Sequence, residues 1–333
     1  MPVQETVVQL QKEVLKLKRD GEWMQVDVDF EFFNPGPAKT VIVGFVTPPA
    51  MGDVTEELAA HPQIREFSAV VNGKDLPFKV AVMEDTGFDL GNDDEVGGQD
   101  FVYYFDVQFK EGLNRIQHRY HFRGGSSVEM YYDFPYRLTT GNTWANEEIG
   151  DFTLEIDMGD RELFALPWSF TYNDSPAEWA FTGTGKMGKK SDILMESYYR
   201  SVYVHEGSIQ LKTKHFHPDR DLLVCSFVLY NQAYAWGRPD LSEEVNEWLP
   251  CGLFASNDSS CLLELSDKQL RILRNFFYAR KGLEFQSADL KKYFGQFIWY
   301  DPIPGLKPDG IALEEWEHET IRAIMTEESR RRK

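Results

Sequence analysis

The chain has 333 residues, enough for two or three domains with sizeable hydrophobic cores. It carries 54 acidic against 35 basic residues, and the resulting net charge of −19 argues against a nucleic-acid phosphate backbone as partner. No apolar run approaches the roughly 18 residues that a membrane-spanning helix requires.

The charge is unevenly placed. From residue 263 onward 13 Lys/Arg stand beside 12 Asp/Glu, leaving 22 basic and 42 acidic residues in 1–262. The N-terminus, MPVQETVVQL, shows neither a basic n-region nor an apolar h-region. A cytoplasmic chain and an exported one whose leader had been replaced by Met1 would begin alike.

Strand patterning dominates the first 145 residues. Val8 to Lys18 alternates irregularly and is followed by an Asp20-Gly21 turn. Met24, Val26, Val28, Phe30 and Phe32 then alternate with Gln25, Asp27, Asp29 and Glu31, the pattern of a half-buried strand. Val41 to Val46 forms a second apolar run, stopped by Pro48-Pro49. Asn72-Gly73 predicts a hairpin, because a two-residue turn of this kind needs positive φ at both positions. Phe101, Tyr103, Phe105, Val107 and Phe109 share one strand face. Strands at this spacing predict an antiparallel sandwich.

The acidic segment between Met83 and Asp100 offers calcium-type oxygens from Asp85, Asp89, Asp93, Asp94 and Glu95. Its spacing fails the EF-hand pattern, since Asp94 occupies the position of the obligatory glycine. A solvated insertion is the expected reading. His118 and His121 have metal-pair spacing on a helix, but a strand puts them on opposite faces. His118 then faces with Ile116, Tyr120 and Phe122, as a satisfied core histidine.

From Phe152 to Tyr230 strand signals resume, with Leu154, Ile156 and Met158 alternating. GTGKMGKK (residues 183–190) reads as a turn; it lacks the spacing and the Ser/Thr of a phosphate-binding loop. His215 and His217 share a strand face near Asp219, yet no fourth zinc ligand is evident. Neither a Gly-x-Ser-x-Gly elbow, an HExxH nor a glycine-rich nucleotide loop occurs. No metal or other cofactor is expected. Trp144, Trp168, Trp179, Trp236 and Trp248 fall in loop-like segments, where flat rings can serve sugar or peptide ligands.

The last seventy residues change period. Ser266 with Gln269 is a capping-box pair, and Leu270, Leu273 and Phe277 form an apolar stripe that Gly282 stops. A second start at Ser287 precedes Leu290, Tyr293, Phe294 and Phe297, and Pro302 and Pro304 forbid continuation. Leu313, Trp316, Thr320, Ile321 and Ile324 make a third stripe.

Arg274-Asn275, then Tyr278-Ala279-Arg280-Lys281-Gly282, Phe285, Leu290, Tyr293-Phe294 and Trp299-Tyr300 resemble the YARHG domain. The resemblance covers about a fifth of the chain. It departs at the motif's histidine, which is Lys281 here, so a role needing a neutral imidazole does not carry over. It implies a small helical unit in a bacterial cell-envelope protein and assigns no reaction. Asp133 to Asp157 weakly resembles the N-terminal β region of other envelope proteins. A periplasmic or extracellular location follows from the resemblance, with the leader removed. In such an oxidising compartment Cys251 and Cys261, flanking the turn-rich CGLFASNDSSC, are the natural disulfide pair. Cys225, in the apolar run LLVCSFVLY, is a core thiol.

The expected chain is mainly β, with one or two antiparallel sandwich-like domains and a C-terminal helical YARHG-like domain. Its divisions are 1–145, 146–262 and 263–333. The expected function is non-catalytic binding or scaffolding at the envelope, with a protein, peptide or glycan ligand. The alternative is a cell-wall hydrolase with two carboxylates in an interdomain cleft, about 5–10 Å apart.

Overall fold

A computed structural model describes residues 5–47, 62–82, 85–86, 101–126, 130–194, 197–227, 262–263 and 265–332. Most of the acidic segment, together with Trp236, Trp248, Cys251 and Cys261, lies outside these residues.

The strands are β1 (Gln9–Asp20), β2 (Trp23–Asn34), β3 (Lys39–Val46), β4 (Ile64–Val71), β5 (Lys74–Asp75), β6 (Lys79–Val82) and β7 (Phe101–Phe109). They continue as β8 (Gly112–Arg123), β9 (Met130–Tyr136), β10 (Ile149–Asp157), β11 (Glu162–Pro167), β12 (Trp179–Leu194), β13 (Ser197–Phe216) and β14 (Leu222–Phe227). Among the described residues a large sheet runs β5-β4-β8-β2-β1-β10-β13-β11-β14-β9, with β12 also pairing β13. A small sheet runs β3-β7-β6. All ladders are antiparallel except β1 with β10, whose register runs from Lys12 with Asp151 to Lys18 with Asp157. The segments 1–145 and 146–262 therefore both contribute strands to one sheet.

Alternation explains the two faces. Met24, Val26, Val28, Phe32, Leu15, Leu17, Leu154 and Ile156 point inward and are buried. The outward face is polar and alternates in charge strand by strand. Arg119 of β8 lies beside Asp27 of β2, which lies beside Lys16 of β1, which lies beside Glu155 of β10. Arg115 pairs with Asp29 and Arg119 with Asp27, while Lys18 approaches Asp157 at 3.6 Å. Opposite charges on neighbouring strands support a solvated sheet face.

The large sheet coils until its far end meets its near end. Phe134 of β9 lies edge-on to Phe122 of β8 at 5.8 Å. The small sheet covers the remaining inner face, with Phe45 of β3 at 4.6 Å from Tyr120. Asn72 and Gly73 make the predicted hairpin turn with φ of 48° and 78°.

GTGKMGKK, read above as a turn, runs within β12 instead. Gly183 lies opposite Gly207 in the ladder, and a Cβ on Gly183 would stand 2.2 Å from the Glu206 carbonyl oxygen. The glycines allow two backbones to approach closely, a different use from chain reversal.

Three helices close the described chain: α1 (Asp267–Arg280), α2 (Ala288–Phe294) and α3 (Glu315–Arg331). The Ser266–Gln269 capping box forms at α1. Leu273, Phe277, Leu290, Phe294 and Trp299 are all buried. They pack in a second core with Leu163 and Ala165 of β11, Tyr203 of β13 and Cys225 of β14. Phe164 and Leu166 of β11 point the other way, into the first core. A strand buried on both faces reads as a continuous apolar run, as LFALP does.

Candidate functional site

Between the two sheets lies a cavity of about 60 Å³. Its polar lining begins with Glu13. Leu15 and Leu17 set the inward phase of β1, and counting back by two carries Glu13 into the same interior. A β-bulge between Leu10 and Lys12 shifts the phase beyond it, so Leu10 also points inward.

Glu13 is 4% exposed, and the Tyr136 hydroxyl donates to its Oε1 at 3.3 Å. Burial pushes its carboxyl up to about 8, against the smaller opposing effect of the Tyr136 bond, so it is protonated at neutral pH. Burial and the nearness of Glu13 both raise the phenols of Tyr120 and Tyr136 well above their ordinary value.

His118 is buried, as its strand phase predicted, but it is not satisfied. Neither ring nitrogen has a hydrogen-bond partner among the described residues. The rings of Phe30, Phe105 and Phe45 stand edge-on to it at 5.7, 5.4 and 6.1 Å. Burial pushes the imidazole down to about 3, keeping it neutral. A buried polar atom without a partner costs about 1–3 kcal/mol, and His118 presents two.

Phe32, Tyr120 and Trp144 complete much of the cavity wall, and Arg137 and Thr140 are partly exposed polar residues of its lining. Among the described residues Glu13 is the one carboxylate that lines it. A second concavity, about 620 Å³, lies over the charged outer face, where Asp27 and Asp29 are already paired with arginines.

The motif residues of the helical unit lie elsewhere, in the second core. Ala279 is buried and Tyr278 partly so. The Arg280 guanidinium sits 5.1 Å from the Trp299 ring centroid, a cation–π contact. Lys281 stands at the end of α1, with its ammonium 3.9 Å from Glu317. Gly282 adopts φ of 87° and accepts a bond from the Ile303 N–H at 2.8 Å. The Tyr300 hydroxyl donates to the Leu283 carbonyl at 3.1 Å. Asp301, next in sequence, receives Arg161 at 2.9 Å, the Tyr203 hydroxyl at 3.0 Å, and His205. Asp301, directly after the motif, fastens the helical unit to β13.

His121 turns outward towards Glu66, at 3.3 Å. His215 bonds Glu148 at 2.8 Å, His217 bonds the Glu147 carbonyl, and Asp219 accepts from the Tyr172 N–H. Trp144 and Trp179 are buried rather than displayed, and Trp168 is partly buried with Arg200 at 4.5 Å over its ring.

Residues 255–328 match the YARHG domain family, so the C-terminal helical unit is a YARHG domain. The whole chain resembles the crystal structure of a candidate nutrient binding protein from Legionella pneumophila. The two share 21% identity at a TM-score of 0.62, over 98% of this chain and 96% of that one. At that identity the likeness shows a shared fold. The M1 zinc metallopeptidase of Deinococcus radiodurans matches at 11% identity and a TM-score of 0.28, over 67% of this chain and 43% of its own. No curated protein matches the chain. No helix among the described residues is long and apolar enough to cross a membrane.

Proposed function

We propose that this chain is an exported binding protein of the bacterial cell envelope. It receives a small molecule, or one compact group of a peptide or glycan, in the cavity between the two sheets, and releases it unchanged. The observation that carries this reading is the pairing of unsatisfied polar atoms with apolar walls. Among the described residues His118 has two ring nitrogens without a partner and Glu13 a single bond. An apolar pocket with a few converging polar groups is the usual form of a small-ligand site. The YARHG domain supports the envelope location, and the nutrient-binding name of the Legionella neighbour agrees with recognition. The hydrolase reading needs two carboxylates in one cleft, and among the described residues this cavity offers Glu13 alone.

The test is a thermal-shift panel on the full chain, covering amines, amino acids, sugars, short peptides and peptidoglycan fragments. Val43→Leu and Val43→Phe, which fill the cavity in steps, are run beside the wild type. A ligand should raise the wild-type melting temperature and lose its effect stepwise in the two variants. Equal shifts in all three proteins, or any product released from the panel, would overturn the proposal.

A further inference from the structure

The cavity's chemistry is one-sided. Its walls are aromatic faces and edges from Phe30, Phe32, Phe45, Tyr120, Tyr136 and Trp144. Ring faces carry partial negative charge and attract cations, most strongly when water is excluded. Its polar atoms are rich in acceptors: the Glu13 carboxyl, an imidazole nitrogen of His118 and two phenol oxygens. The groups that face Glu13 are Tyr136 of β9 and Tyr120 of β8, both neutral phenols, while the neutral imidazole of His118 lines the same cavity. Among the described lining residues Arg137 is the one that carries a positive charge, and it is partly exposed to water. Burial raises the Glu13 carboxyl against the smaller opposing effect of the Tyr136 bond.

We propose that this cavity binds an organic ammonium group, with the Glu13 carboxylate as counter-ion and the aromatic walls as its cage. The inference rests on the reading of the cavity as the ligand site and adds the chemical class. An ionised carboxylate among apolar side chains is unstable alone, and a cation of matching size restores it. At roughly 10–15 Å³ for each water-sized group, 60 Å³ admits about four to six such groups. That is the size of a propyl- or trimethylammonium, or of the end of a longer amine. Binding exchanges a proton for the cation: Glu13 releases its proton to solvent as the ammonium enters.

The experiment is isothermal titration of the full chain with propylamine, trimethylamine and propan-1-ol, the uncharged analogue of the first. Nα-acetyl-lysine amide is titrated alongside, to distinguish a free amine from one borne on a chain. Both amines should bind at least tenfold more tightly than the alcohol. At pH 7 amine binding should release about one proton, read from runs in buffers of different ionisation enthalpy. Affinity should rise about fivefold from pH 7 to pH 8, by about tenfold in all by pH 9, and level off above. Glu13→Gln keeps the volume and removes the charge, so it should lose amine binding while binding the alcohol as before. Equal affinity for amine and alcohol, no proton release, or unchanged amine binding in Glu13→Gln would overturn the ammonium assignment. If Val43→Phe still abolishes binding in that event, the cavity remains the ligand site and only its chemical class is wrong. Amine binding indifferent to Val43→Phe would remove both.

Discussion

Glu13 and His118 pull stability in opposite directions along the pH axis. A carboxyl raised from 4.5 to about 8 by folding holds its proton better in the native state. Its contribution is complete below pH 4.5 and falls away as pH rises to about 8. An imidazole lowered from 6.5 to about 3 loses its proton more readily on folding. Its contribution is complete above pH 6.5 and falls away towards pH 3. Between about 4.5 and 6.5 the two slopes cancel, so denaturant titrations should find a stability plateau there and a decline on either side. Glu13→Gln should remove most of the alkaline decline, worth at most about 5 kcal/mol. A decline above pH 6.5 that survives in Glu13→Gln would refute this assignment. The position of Glu13 was legible in the sequence through the phase of Leu15 and Leu17. Its acidity obscured it, because acid on a strand usually marks the wet face. The face of His118 was legible too, but its missing partners were not, since they depend on β2, β3 and β7 arriving from separate segments. The cysteines make a further residue-scale prediction. Cys225 is a buried thiol, and Cys251 and Cys261 should be bridged in exported protein. Thiol counting under denaturing, non-reducing conditions should find one free cysteine, and three would refute the pairing.

The elements that were easiest to read are those whose signals are local. The capping box at α1 needs only Ser266 and Gln269, and both bonds form, at 3.3 Å to the Gln269 N–H and 2.7 Å from the Ser266 N–H. Ser266→Ala should cost about 1 kcal/mol. Gly282 was equally legible as a helix stop, yet its surroundings were not. A Cβ there would meet Arg161 Nη2 at 2.9 Å and Ile303 at 3.0 Å, while one on Gly21 would meet nothing. Both glycines have positive φ, 63° and 87°. Gly21→Ala should therefore cost about 1 kcal/mol for backbone strain alone. Gly282→Ala should cost roughly twice that or more, because it also displaces the sheet's contact with the motif. Equal losses in denaturant titrations would mean that the close approach at Gly282 does not matter. β12 was misread because its glycines serve a cross-strand approach, which only its partner β13 reveals.

At the scale of the whole molecule, β11 and β13 belong to two cores at once, with alternate residues facing each. The β1–β10 and β9–β14 ladders join the strands of 1–145 and 146–262 in one sheet, and the two-sided burial of β11 and β13 ties the helical unit to its far face. Asp301 is the main polar fastening. Burial acts to raise its carboxyl, but bonds from His205 and Tyr203 and the charge of Arg161 outweigh it and hold it below the ordinary value. Lys186 of β12 adds a bond to the Tyr300 carbonyl at 3.0 Å. Cys225 lies beneath this contact, fully buried between β14 and the helices, so its thiol reacts only when the two parts separate. The helical domain can open by itself or only with global unfolding, and labelling of Cys225 distinguishes the two. In a background with Cys251 and Cys261 replaced by serine, Asp301→Ala removes the carboxylate that collects three partners. Loss of charge-assisted bonds of this kind costs about 1.5–3 kcal/mol, so Cys225 should label roughly tenfold faster or more. The sheet's circular dichroism should be unchanged at the same denaturant concentration. Labelling that accelerates only in step with loss of the sheet signal would show that helices and sheet unfold as a single cooperative unit.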